Sequence, residues 1–229
     1  MSAPRDPIRF YFDYISSNAY LAWARIHDLA AAAGRAVELV PVLFAGLLEA
    51  HGQLGPAEVP PKVHWMSKNV MRKAAALGVP LHPPVHHPWN PLLSLRVSSL
   101  PMPEETRRRL IDGIFLAAWA RRLHISDPDV VGRIASEAGL DGRAVVADAQ
   151  RPEAKDRLRR QTDDAIAQGV FGVPTMIVDG ELFWGYDDFP WLERFLSGTD
   201  PLTPELLARW GESVTPSAQR PAEKRGRAR

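Results

Sequence analysis

A proline at the mouth of a β-hairpin constrains this chain more than any other feature. Val173-Pro174 stands directly before Thr175-Met176-Ile177-Val178, an apolar and partly β-branched run, and Asp179-Gly180 separates that run from Glu181-Leu182-Phe183-Trp184. An Asp-Gly pair between two such runs predicts a two-residue turn, because type I′ geometry needs positive φ at both central residues. A proline opening the first strand has no N–H for the ladder, so a special peptide is expected at Val173-Pro174. Gly169 and Gly172, just upstream, let the backbone approach a ligand closely. By itself Gly-Val-Pro-Thr also fits a simple strand-entry turn.

The N-terminal segment predicts β-α-β. Ile8 to Asp13 reads as a strand rich in aromatic residues. A polar break, Tyr14 to Asn18, precedes a helical run from Ala19 to Ala33, with Gly34 where a C′ glycine belongs. Val37 to Leu43 reads as the second strand. Ser16 or Ser17 therefore sits at the start of the first helix. There a hydroxyl caps free N–H groups, and the helix dipole favours an anion. Spacing alone does not choose between the two serines or between those two roles.

From Glu104 the pattern is helical. Glu104 to Leu123 carries Ile111, Ile114, Phe115, Ala118 and Trp119 along one side. Ser126-Asp127-Pro128 is a helix start, running to about Ala138 before Gly139, and Pro152 to Gln168 forms another helix closed by Gly169. Phe189 to Leu196 is expected as the final helix of the fold, and beyond Gly198, where the apolar pattern thins, Thr203 to Trp210 has the length of a short helix. His82, His86 and His87 lie in the run HPPVHHPWNP. Adjacent histidines and no cysteine do not match metal-ligand spacing, and the prolines predict a rigid extended loop. No metal site is expected.

The absence of cysteine decides the most chemistry: it excludes disulfides, thiolate metal sites and dithiol redox chemistry by the chain itself. Any thiol must arrive with a ligand. Residues 215–229 carry five basic groups against one acid, or +4, which leaves −3 for the remainder of a chain of net charge +1. The body therefore offers no reason to expect a nucleic-acid partner, and the Pro-, Ala- and Arg-rich tail has no core face. No apolar run reaches the ~18 residues of a membrane span, and MSAPRDP lacks a signal-peptide core. A cytoplasmic location without membrane partner is expected.

The string GVFGVPTMIVDGELFWGYD, residues 169–187, resembles the C-terminal part of the 2-hydroxychromene-2-carboxylate isomerases and the related kappa-class glutathione transferases. A second match lies near the N-terminus, where the family's Phe-Asp-x-x-Ser-Pro-Tyr-x-Tyr is met by Phe12-Asp13-Tyr14-Ile15-Ser16-Ser17-Asn18-Ala19-Tyr20. The resemblance implies an α/β, thioredoxin-like fold with a large all-helical insertion, and with it a cis Val173-Pro174 peptide ahead of the hairpin strand. It divides the chain into a thioredoxin-like domain of residues 1–43 and 166–198, a helical domain of 44–165 and a largely disordered tail of 199–229. It further implies glutathione as cofactor and an aromatic small-molecule substrate. The implied reaction interconverts 2-hydroxychromene-2-carboxylate and trans-o-hydroxybenzylidenepyruvate by reversible thiolate addition, in a homodimer.

Carried over residue by residue, Ser16 falls on the serine that binds the glutathione sulfur and is the expected catalytic residue. Ser17, Asn18, Gln53, Lys62, Val173, Pro174, Tyr186 and Asp187 are the further expected cofactor contacts, with Asp187 meeting the γ-glutamyl ammonium and Lys62 a carboxylate. Ser17-Asn18 replaces the usual Pro-Tyr, Trp65 the usual Tyr, Asn69 the usual Asp, and Asp188 stands where the family has arginine. Two alternatives stay open: a kappa-type transferase that consumes glutathione, and a glutathione-binding protein without catalysis.

Overall fold

The computed structural model describes residues 5–211. The basic stretch of residues 215–229 lies outside them. Strand β1 (Ile8–Phe12), helix α1 (Ser17–Ala32) and strand β2 (Val37–Pro41) form the opening β-α-β unit. Seven helices follow: α2 (Phe44–His51), α3 (Pro60–Leu77), α4 (Leu92–Ser99), α5 (Glu104–Trp119), α6 (Pro128–Glu137), α7 (Gly142–Asp148) and α8 (Pro152–Ala167). Strands β3 (Thr175–Val178) and β4 (Glu181–Trp184), then helices α9 (Phe189–Leu196) and α10 (Pro204–Gly211), complete the order. The sheet runs β2-β1-β3-β4. β1 is parallel to β2 and antiparallel to β3, so strands from the two ends of the chain lie side by side. This is the thioredoxin-like arrangement with a helical insertion between its halves.

The hairpin forms as its turn residues dictate. Val178 pairs with Glu181, and Asp179 and Gly180 take φ of 51° and 84°. Arg35, just past α1, holds the Asp179 carboxylate in a forked ion pair and fixes the turn against the β-α-β unit. The Val173-Pro174 peptide is cis.

β1 is buried on both faces, which explains its near-continuous apolar run. Phe10 and Phe12 stack on one face, where Phe115 of α5 packs against Phe12, Tyr14 and Trp23. On the other face Tyr11 joins Val42, Leu47, Ala165, Val170, Val173 and Ile177. Each such aromatic side chain taken out of water contributes about 1.5–3 kcal/mol, so this double-sided packing dominates the stability of the sheet. Helix α4 is buried on nearly all sides, and its serines find main-chain acceptors: Ser98 Oγ donates to Ser94 O (2.9 Å) within the helix and Ser94 Oγ to Ile125 O (2.6 Å) beyond it. A helix without a polar face has no period for a sequence reading to find.

Three boundaries differ from the sequence expectation by two residues or more. β2 stops at Pro41 rather than Leu43, because the amide of Leu43 turns to Thr162 Oγ1 (3.0 Å) instead of a strand. α5 ends at Trp119 rather than Leu123, since Arg122 takes a positive φ of 56° and the Trp119 carbonyl accepts from His82 N (2.7 Å). α1 begins at Ser17, two residues early, because Ser16 is its N-cap. The chain divides into two compact units with the boundary between Phe189 and Pro190, so helices α2–α8 share a unit with the whole sheet.

Candidate active site

Ser16 lies where the two sequence signatures meet. Its backbone is extended, φ −90° and ψ 114°, and its Oγ accepts from Ala19 N (3.1 Å), so it caps α1. The same hydroxyl donates to the carbonyl of Val173 (3.2 Å), the residue before the cis proline. A serine hydroxyl has a single proton, so capping uses its acceptor side and Val173 its donor side. At 3.2 Å the bond to Val173 is long for an O–H donor, and exchanging it for a bond to an incoming anion costs little. Ser17, the other candidate, is buried in the first turn and carries no cap. The geometry makes Ser16 the serine that joins the helix terminus to the Val173-Pro174 loop.

Just upstream, Asp13 is 1% exposed. Its carboxylate accepts from Ile15 N (3.1 Å) and Phe44 N (3.0 Å), tying the Ser16 loop to the start of α2. Burial pushes its pKa up to about 7, against the opposing pull of the two amide donors. Tyr14, also buried, shares a hydrogen bond with Ser98 Oγ (2.6 Å), and burial raises its pKa. On the far side, His51 Nε2 bonds Val170 O (3.1 Å), so the end of α2 braces the loop leading to Val173.

A second cluster lies at the next turn. Lys73 Nζ of α3 contacts Asp187 (2.8 Å) and donates to Asn18 Oδ1 (3.4 Å), and it stands 5.7 Å from the centre of the Tyr186 ring. The Lys73 side chain is 14% exposed and that of Asp187 72%, so the ammonium is sheltered while the carboxylate faces outward. Three expected residues, Asn18, Tyr186 and Asp187, are thus gathered by a fourth that the sequence reading missed. A signal for it existed: Lys73 adjoins the inward stripe of α3 formed by Val70 and Ala74. Asp188 accepts from Trp184 N (2.8 Å) and so serves the hairpin's exit.

The structure does not bring Gln53 and Lys62 into these clusters. Both are exposed; the amide N–H of Gln53 donates to Leu48 O (2.9 Å) to close α2, and Lys62 opens the first turn of α3. Among the described residues no group of three or more acidic or histidine side chains gathers as metal ligands. The histidine run is instead an extended loop in which His87 Nε2 bonds Ile15 O (3.0 Å).

Comparison with known proteins agrees with this geometry. The model of the DSBA-like thioredoxin domain family matches residues 7–197. The chain is 31% identical over 194 residues to 2-hydroxychromene-2-carboxylate isomerase of Sphingobium xenophagum, covering 82% of this chain and 97% of that one. It is 25% identical to glutathione S-transferase kappa 2 of Caenorhabditis elegans, over 84% of this chain and 92% of that one. A solved structure of 2-hydroxychromene-2-carboxylate isomerase superposes with a TM-score of 0.77 at 25% identity, covering 91% of this chain and 99% of that one. With the strands, the Ser16 cap and the cis-proline loop in place, the chain belongs to the DSBA-like thioredoxin family and, within it, to the 2-hydroxychromene-2-carboxylate isomerase family of enzymes.

Proposed function

We propose that this enzyme is a glutathione-dependent isomerase interconverting 2-hydroxychromene-2-carboxylate and trans-o-hydroxybenzylidenepyruvate. The observation that carries the reading is the Ser16 hydroxyl at a helix N-terminus, 3.2 Å from Val173 O, in a chain without cysteine. When bound, glutathione supplies a thiolate that adds reversibly to a conjugated carbon, so that a double bond becomes a rotatable single bond. Ser16 Oγ, released from Val173, donates to an anionic sulfur, and the dipole of α1 favours the same charge. The main chain of Val173 offers strand-like pairing to an extended peptide.

The Lys73–Asp187 pair suits an α-amino-acid head group. Asp187 turns its carboxylate outward to an ammonium, and Lys73 offers its remaining N–H to a carboxylate. Gln53 and Lys62, long and exposed, are candidates for the peptide's other end. A cytoplasmic location suits the reading, because glutathione is kept there as the thiol.

The test is an absorbance assay on the chromene substrate with and without glutathione. Turnover that requires glutathione without consuming it supports the isomerase. Stoichiometric consumption selects the transferase reading, which the resemblance to kappa-class enzymes favours as the alternative. Turnover independent of glutathione rejects both.

A further inference from the structure

The loop that presents Ser16 is held largely by groups outside it. Ile15 N and Ser16 N are fixed locally by Asp13, through its carboxylate (3.1 Å) and its main-chain carbonyl (3.1 Å). The two carbonyls that precede Ser16 are gripped from the helical segment. Trp119 Nε1, at the end of α5, donates to Tyr14 O (2.9 Å), and His87 Nε2, in the proline-rich run, bonds Ile15 O (3.0 Å). A carbonyl only accepts, so His87 carries a proton on Nε2. Its ring cannot swing freely. It stands edge-on to Trp89 with centroids 5.3 Å apart and 5.8 Å from Trp119, while Trp89 and Trp119 are themselves 5.3 Å apart.

Each ring thus orients the next, and two ring N–H groups define the path of the backbone into Ser16. On the exit side Ser16 is held by the helix itself, Ala19 N bonding its Oγ (3.1 Å) and Tyr20 N its carbonyl (3.2 Å), so the entry carbonyls are the part fixed from outside α1. Ser17 opens the helix, and the Asn18 side chain turns to Lys73. A hydroxyl that must exchange Val173 O for an anion needs its Cα held still while the side chain rotates, because catalytic geometry tolerates only small displacement.

We propose that His87 and Trp119 are positioning residues for Ser16, acting through the carbonyls of Ile15 and Tyr14, so that the helical segment sets the reactivity of a serine outside it. This rests on the glutathione reading above. The test uses the full chain with His87→Ala, His87→Gln and Trp119→Phe, saturated with glutathione. The bound thiolate is titrated by its ultraviolet absorbance, alongside glutathione affinity, turnover and thermal melting.

His87→Ala and Trp119→Phe should raise the pH at which the bound thiol ionises and lower kcat by ~5-fold, the weight of one ordinary hydrogen bond, with affinity unchanged. His87→Gln keeps an N–H donor and should recover most of both. An unchanged titration in both donor-less variants, or a His87→Gln as impaired as His87→Ala, overturns the proposal. His87 lies on an exposed loop, so its variants stay decisive even if Trp119→Phe melts early. If the wild type shows no thiolate with saturating glutathione, the functional reading falls too; if it does and the variants match it, only the positioning role falls.

Discussion

Ser16 meets Val173 through a part-buried hydrogen bond between two loops, whereas Asn18, two residues on, bonds Lys73, whose sheltered ammonium pairs with the exposed carboxylate of Asp187. The first junction is anchored on backbone: two short side chains, Ser16 and Asp13, bond main-chain amides and the Val173 carbonyl. The second is made of side chains alone, centred on the long Lys73. Backbone junctions move only if an element moves, so they suit the exact placement of one reacting hydroxyl. Side-chain ion pairs at the surface adapt and are screened by salt, so they suit recognition of a charged ligand. The two junctions divide placement from recognition, and substitutions at each should separate along that line.

The largest effect is expected beneath the first junction. Asp13→Ala leaves the amides of Ile15 and Phe44 without their acceptor, a loss of roughly 2–6 kcal/mol for two unsatisfied donors. The loss should depend on pH. The folded pKa is raised to about 7 from an ordinary 3.8, so between those values the native state holds a proton that the unfolded chain has released. The Asp13 contribution therefore falls as pH rises through that window. Denaturant unfolding of both proteins from pH 4 to 8 should show the difference shrinking. His27, whose pKa burial lowers to about 4, tilts both curves the opposite way and cancels in the difference. A difference that grows with pH would mean Asp13 is charged throughout.

Ser16→Ala comes next and should break placement without breaking recognition. Loss of a hydrogen bond to a charged sulfur predicts kcat/KM down by roughly 10–100-fold and a higher ionisation pH for bound glutathione. The lost cap should cost only about 0.5–2 kcal/mol of stability. Ser17→Ala should leave the titration unmoved; a shift there and none at Ser16 would reassign the serine.

At the second junction the effects should be smaller and on affinity alone. Asp187→Ala is expected to weaken glutathione binding by on the order of tenfold, about 1.4 kcal/mol, with the loss fading as salt is added. Asp188→Ala should weaken it less, since that carboxylate is engaged by Trp184 N. Lys62→Ala and Gln53→Ala should change it least. Calorimetry at two ionic strengths reads all four. A Lys62 effect as large as that of Asp187 would move recognition from the Lys73 cluster to the start of α3.

How far the site could be read in advance follows the same division. The hairpin, its positive-φ turn and a cap at the start of α1 are local matters, written in Asp179-Gly180 and the polar break before α1, whereas the choice of Ser16 and the cis Val173-Pro174 peptide rested on the family resemblance. Helix α4 was not legible, because a helix buried all round shows no amphipathic period. Lys73 shows its place beside the inward stripe of α3, but local spacing does not show its partner 114 positions away, which is what sets it apart from Lys62.

By itself, then, the sequence determined the β-α-β unit, the hairpin and the residues that flank Ser16, because backbone conformation and side-chain period depend on neighbours a few positions away. Tertiary structure alone decided that Ser16 would face Val173 across 157 positions, and that His87 and Trp119 would reach the carbonyls before it. The first pairing follows from β1 lying beside β3, the others from α5 packing on Phe12 of β1 and from the proline-rich run meeting Ile15 and Trp119. A contact between distant segments is selected by the shape of the whole core, which no short stretch of residues encodes.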